Sequence, residues 1–135
     1  MIAFFDASAL IYLIEGAEPF AAKARKELAV AAKTHPDLGA AVSRLSWLDC
    51  RVRPMKANDT ATLATFDAFF ARPDLIWVDL TRDVVELAAA IRVKTGLKTP
   101  DSLQAASCLQ LGDHLFLTGD SAFRRVAGLN VKVLT

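Results

Sequence analysis

The chain has 135 residues, 53% of them hydrophobic, and sixteen Lys and Arg against fifteen Asp and Glu leave a formal net charge of +1. That length and apolar content suit one domain spanning residues 1–135 with a sizeable core, and the even charge balance excludes a broad basic footprint for nucleic acid. Cys50 and Cys108 lie far apart without CxxC spacing, and the first apolar stretch lacks a basic lead and is broken by Asp6 and Glu15; the expectation is a reduced, cytoplasmic setting with no disulfide scaffold, signal peptide or membrane span.

Ile2 to Phe5 reads as a short buried strand, and Ala7 to Glu15 as a helix stopped by Gly16. A second helix runs from Pro19 to Lys33, with Phe20, Ala24, Leu28 and Ala31 at helical spacing, and ends at His35-Pro36. Leu38 to Val42 is the next apolar run. Ser43 then caps a helix whose stripe is Leu45, Leu48, Val52 and Met55, with Pro54 expected to end or kink it. Asn58 and Asp59 cap a fourth helix that stops near Arg72-Pro73, and Leu75 to Val78 reads as a strand. Thr81 caps a helix from Val84 to Lys94 closed by Gly96. Thr99-Pro100-Asp101 reads as cap, helical proline and acidic first turn of a helix reaching Gly112. His114 to Leu117 is a strand, Gly119-Asp120 turns into a short helix, and Val131 to Leu134 is the last strand. Such alternation, with strands too apolar to face water on either side, predicts an α/β domain: a parallel sheet with helices on both faces.

In such a sheet, sites form beyond the carboxyl ends of the strands. Asp6 stands at one strand end and Asp120 just past another. Asp101 joins them if its helix begins at that same edge, as a helix antiparallel to the strands it covers must. Taken alone, Asp6 is explained as a helix cap. Asp49 is out of place on propensity in a helix interior, beside the apolar stripe, and its plain partner is Arg53 four residues on. Carboxylates gathered together repel unless a cation sits among them. With His35 and His114 isolated and the cysteines unpaired, an oxygen-loving Mg²⁺ or Mn²⁺ is the fitting ion, and phosphodiester hydrolysis the fitting chemistry. No Walker A, GxGxxG, HExxH or GxSxG pattern competes. A phosphatase with Asp6 as nucleophile would want a second Asp where Ser8 stands, and a phospho-receiver would want an Asp after a central strand and a Lys after the last.

The segments FFDASALIYLIEG, SRLSWLDCRV, TPDSLQAASCLQ and FLTGDSAFRR, in that order and over nearly the whole chain, resemble the PIN-domain family, and particularly the VapC-type ribonuclease toxins of bacterial toxin–antitoxin pairs. The resemblance implies a PIN-like three-layer α/β/α domain with a short parallel sheet of about five strands and a magnesium-dependent ribonuclease site of acidic side chains. By motif match, Asp6, Asp101 and Asp120 fall on acidic positions, and Ser8 and Thr118 on supporting hydroxyl positions. Asp49 stands where similar proteins have Glu, one methylene longer, so the charge is kept and the reach is not. The resemblance further implies RNA as substrate, a cognate antitoxin protein as partner and a homodimer.

A reading of another class is a catalytically weak domain that only binds RNA or a protein, and Asp49 is its best support. Arg44, Arg51, Arg53 and Lys56 around Asp49, Lys94 and Lys98 before Asp101, and Arg124-Arg125 after Asp120 are candidate phosphate contacts or plain solvated residues. Phe4, Phe66, Phe69, Phe70, Trp47 and Trp77 read as core, whereas Phe123 reads either as core or as a base-stacking ring. Tyr12, Leu13, Ile14 and Phe20 on the first two helices are the expected exposed apolar surface for a partner.

Overall fold

The computed structural model describes residues 1–135. Its strands are short runs of apolar residues: β1 (Ile2–Phe5), β2 (Gly39–Ser43), β3 (Leu75–Val78), β4 (His114–Thr118) and β5 (Val131–Val133). All neighbouring pairs are parallel, in the order β3-β2-β1-β4-β5, so β1 lies at the centre. Its last residue, Phe5, is in register with Val42 of β2 and Leu117 of β4.

Side chains alternate across the sheet, and β1 shows the consequence. Ala3 and Phe5 enter one buried cluster with α1 (Ala7–Glu15), α2 (Phe20–Thr34), α3 (Arg44–Lys56) and α4 (Thr60–Phe70). Phe4 enters the other, with α5 (Arg82–Thr95), α6 (Thr99–Leu109) and the 3₁₀ turn at Ser121–Arg125. Both faces are therefore covered and the architecture is three-layered, α/β/α, as the apolar strands required.

The chain leaves β1 toward β2 on one side, while β4 and β5 lie on the other. Such a reversal opens a crevice at the carboxyl edge between β1 and β4, with Asp6 directly after one strand and Asp120 two residues after the other.

One expectation fails on α3. Its buried residues are Ser46, Cys50 and Pro54, spaced one turn apart, whereas Leu48, Val52 and Met55 are 59%, 41% and 56% exposed. The inward face must pack closely, which small side chains allow, and the larger apolar ones are turned outward. Pro54 lies in the last turn of the helix, which closes two residues later at Lys56, in keeping with the loss of a backbone donor at a proline. The expected partner surface is not the most exposed one. Tyr12, Leu13 and Ile14 pack half-buried against the core, with the Tyr12 ring on Phe20 at 4.6 Å between centroids. Trp47 also leaves the predicted core: it is 41% exposed, and Arg44 lies over it and over Trp77. A guanidinium shields both rings there and anchors to Asp79 at 2.8 Å.

Candidate metal centre

Asp6 follows β1 and caps α1, because the first helical turn leaves N–H groups free and a carboxylate accepts them. The cap explains only part of it. Oδ1 accepts from the Ala9 amide at 2.9 Å and the Ser8 hydroxyl at 2.7 Å, and Oδ2 accepts from the Thr118 hydroxyl at 2.5 Å. A carboxylate offers about four acceptor positions, so these bonds leave one, on Oδ2. Both hydroxyls also accept from the loop after β4: Gly119 N–H donates to Ser8 Oγ and Asp120 N–H to Thr118 Oγ1, each at 3.0 Å. Asp6 is thereby tied to the loop that carries Asp120, whose own Oδ1 takes the Ala122 amide at 2.8 Å and caps the 3₁₀ turn.

Asp101 lies in the first turn of α6, with Lys98 rather than Thr99 at the cap position and no side-chain cap bond. The helix does begin at the carboxyl edge of the sheet. Asp6, Ser8, Asp49, Asp101 and Asp120 line one cavity of about 180 Å³, together with Ala7, Pro100, Gln104 and Phe123. All four aspartates thus face the same space, with Ser8 among them and Thr118 bonded behind Asp6. The Arg53 partnership expected for Asp49 does not form. Arg53 Nη2 donates to Glu15 at 2.6 and 2.5 Å, and Arg51 pairs with Asp67. No protein cation neutralises Asp49.

The charges are correspondingly uncomfortable. Asp6 is 5% exposed; burial holds its carboxyl above the usual range against its three donors, with the Asp101 charge adding to the rise. Burial and then the Asp101 charge push Asp49 up as well. Asp101 is raised by burial and by Asp120, partly offset by Lys98. Cys50, beside Asp49, is pushed up to about 12 by burial and by the neighbouring carboxylates, so no thiolate is on offer. His114 uses both ring nitrogens elsewhere, in contact with Gly112 O at 2.7 Å through Nδ1 and accepting the Asn130 amide at Nε2.

An all-oxygen, anionic and under-neutralised donor set fits a hard divalent ion. The fit has a particular form. No three of these groups converge closely enough to hold an ion by themselves, while the cavity has room for an ion with several waters, each occupying about 30 Å³ in the liquid. Mg²⁺ sheds its waters reluctantly and is commonly held that way. One neighbour escaped the reading of the sequence. Gln104 is buried on the cavity wall and its Oε1 has no hydrogen-bond partner; its spacing, three residues after Asp101 on the same helix, was the available signal. Phe123, left open between core and stacking, is buried against Phe116 at 4.7 Å.

Comparison with known proteins accords with this fold. Three solved structures are similar over nearly the whole of both chains. VapBC2 from Rickettsia felis, bound to a DNA fragment from its promoter, matches with a TM-score of 0.78 at 16% identity, covering 98% of this chain and 98% of that one. VapBC-1 from nontypeable Haemophilus influenzae gives 0.74 at 16% identity, over 99% and 98%. A toxin–antitoxin complex from Klebsiella pneumoniae gives 0.67 at 23% identity, over 98% of each. No curated protein matches by sequence. The PIN domain family matches residues 3–129, and the chain belongs to that family.

Proposed function

We propose that this chain is a divalent-metal-dependent endoribonuclease that acts as the toxin of a toxin–antitoxin pair. The observation that carries the chemistry is the single cavity lined by Asp6, Asp49, Asp101 and Asp120, with no protein cation paired to Asp49. Bound there, Mg²⁺ (or Mn²⁺) would polarise a phosphate and acidify a water for attack on phosphorus, breaking one P–O ester bond. The chain's own contribution is placement. Ser8 and Thr118 lock Asp6 and leave one Oδ2 acceptor position without a protein donor, and the same hydroxyls hold the Gly119-Asp120 backbone, tying Asp120 to Asp6. Asp49 and Asp101 close the cavity from α3 and α6.

The toxin role and the antitoxin partner rest on the similarity to three toxin–antitoxin structures. The substrate is RNA, with Lys98 beside Asp101 among the cations that would meet its phosphates, and the active form is a homodimer. No helix is long and apolar enough to cross a membrane, which suits a cytoplasmic enzyme. Expression of the chain alone should slow growth, and a small protein encoded beside it should relieve the effect by binding. Harmless expression of the folded protein would count against the toxin role. A chain that bound RNA equally well with chelator present, and never cut it, would be a binding module instead.

A further inference from the structure

Gln104 is 3% exposed and lies in the buried middle of α6, among Ala105, Ala106 and Ser107. Its Nε2 donates to Ser46 Oγ on α3 at 2.9 Å. Its Oε1 is the one buried side-chain polar atom of the chain without a partner. Orphaned acceptors of this kind are costly and rarely kept unless something outside the protein supplies the donor. Gln104 lines the acidic cavity, so the donor would come from there.

Its place between the helices gives the amide a second task. Ser46 is three residues before Asp49, and Gln104 three after Asp101, so each pair shares a helix face. The Gln104–Ser46 bond therefore clamps the two helices that present Asp49 and Asp101. A water in the hydration shell of a divalent ion is a polarised donor, and carboxylates too loosely gathered to enclose the ion leave such waters in the shell.

We propose that Gln104 is a positioning residue of the metal centre: held by Ser46, its Oε1 accepts a hydrogen bond from a water of the bound divalent ion, in the gap between Asp49 and Asp101. The inference rests on the metal-site reading above but concerns ion binding rather than cleavage.

The test is calorimetric titration of Mn²⁺, and then Mg²⁺, into the purified full chain and its variants. Gln104→Leu and Gln104→Met keep the bulk and remove the acceptor. Both should weaken ion binding by about tenfold to a hundredfold, the range for losses behind a metal's direct ligands, with the ion-free fold intact by circular dichroism. Gln104→Glu keeps an acceptor oxygen and should bind at least as tightly as the wild type. Wild-type affinity in the Leu and Met variants would overturn the proposal. So would a Glu variant as weak as the Leu variant, which would mean that the amide N–H, not Oε1, faces the ion's waters. A wild type that binds neither ion would overturn the metal site itself; one that binds ions and shows the Gln104 effect without cutting RNA would overturn only the ribonuclease reading.

Discussion

At the scale of single residues, Asp49 was the ambiguous position, and the arrangement of its neighbours decides how to test it. A surface pair with Arg53 would contribute about 0.3–0.5 kcal/mol and no function, but Arg53 is engaged by Glu15 and Asp49 faces the other aspartates. Asp49→Ala should therefore lower Mg²⁺-dependent RNA cleavage by about tenfold to a hundredfold or more, while Asp49→Glu, with its extra methylene, should retain or raise it. Asp83→Ala on the exposed start of α5 serves as control, and an Asp49→Ala variant that matched it would remove Asp49 from the site. The raised carboxyls of Asp6, Asp49 and Asp101 also set a pH dependence. Folding makes each bind its proton more tightly, so above the unfolded carboxyl value of about 3.9 the folded state carries more protons and stability falls as pH rises. In chelator, the melting temperature should decline through these groups as pH rises above about 4, and Asp49→Asn should flatten that decline; an unchanged slope would show that Asp49 is not strained. Asp6 and Asp120 were legible because a carboxylate at a strand end has few other reasons to be there. Gln104 was not, since a lone Gln in an Ala-rich helix looks like any solvated residue until burial strips it of water.

Elements were legible wherever pattern and caps agreed. Asp6, Ser43, Asp59 and Thr81 each accept the amide bonds of a helix start, as their residue types require. The face of α3 was misread because periodicity shows that a stripe exists but not which side the sheet edge tolerates; here close packing selects Ser46, Cys50 and Pro54. The exposed Leu48 and Met55 are therefore not core. Leu48→Gln should change thermal stability by no more than about 0.5 kcal/mol, as for ordinary surface positions, and a loss of several kcal/mol on thermal melting would contradict that placement. The loop after β4 is the opposite case. A Cβ at Gly119 would stand 2.6 Å from Tyr12 Oη, and the Tyr12 ring is held by Phe20. Gly119→Ala should cost about 1–3 kcal/mol through overpacking, and, because Gly119 N–H anchors Ser8, it should lower cleavage beyond any loss of folded protein. Cleavage per folded molecule equal to wild type would separate this loop from the site.

Across the whole molecule, the sequence order of strands hid their spatial order, yet the reversal on either side of β1 is what lets residues as distant as Asp6 and Asp120 meet. Alternating strands and helices predicted a parallel sheet with two covered faces; the loop and crossover lengths alone did not say which strand would lie central. Once β1 does, α6 has to start at the carboxyl edge and brings Asp101 to the cavity, while α3 follows β2 without an intervening residue and brings Asp49. The measurement that bears most directly on this account is cleavage of total RNA by the purified chain with Mg²⁺ supplied and then chelated, beside Asp101→Asn, which keeps size and deletes one ligand charge. Cleavage that needs the ion, returns when it is restored, and falls by about tenfold to a hundredfold or more in Asp101→Asn is the expected result. Cutting that persists in chelator, or an Asp101→Asn variant as active as the wild type, would contradict it.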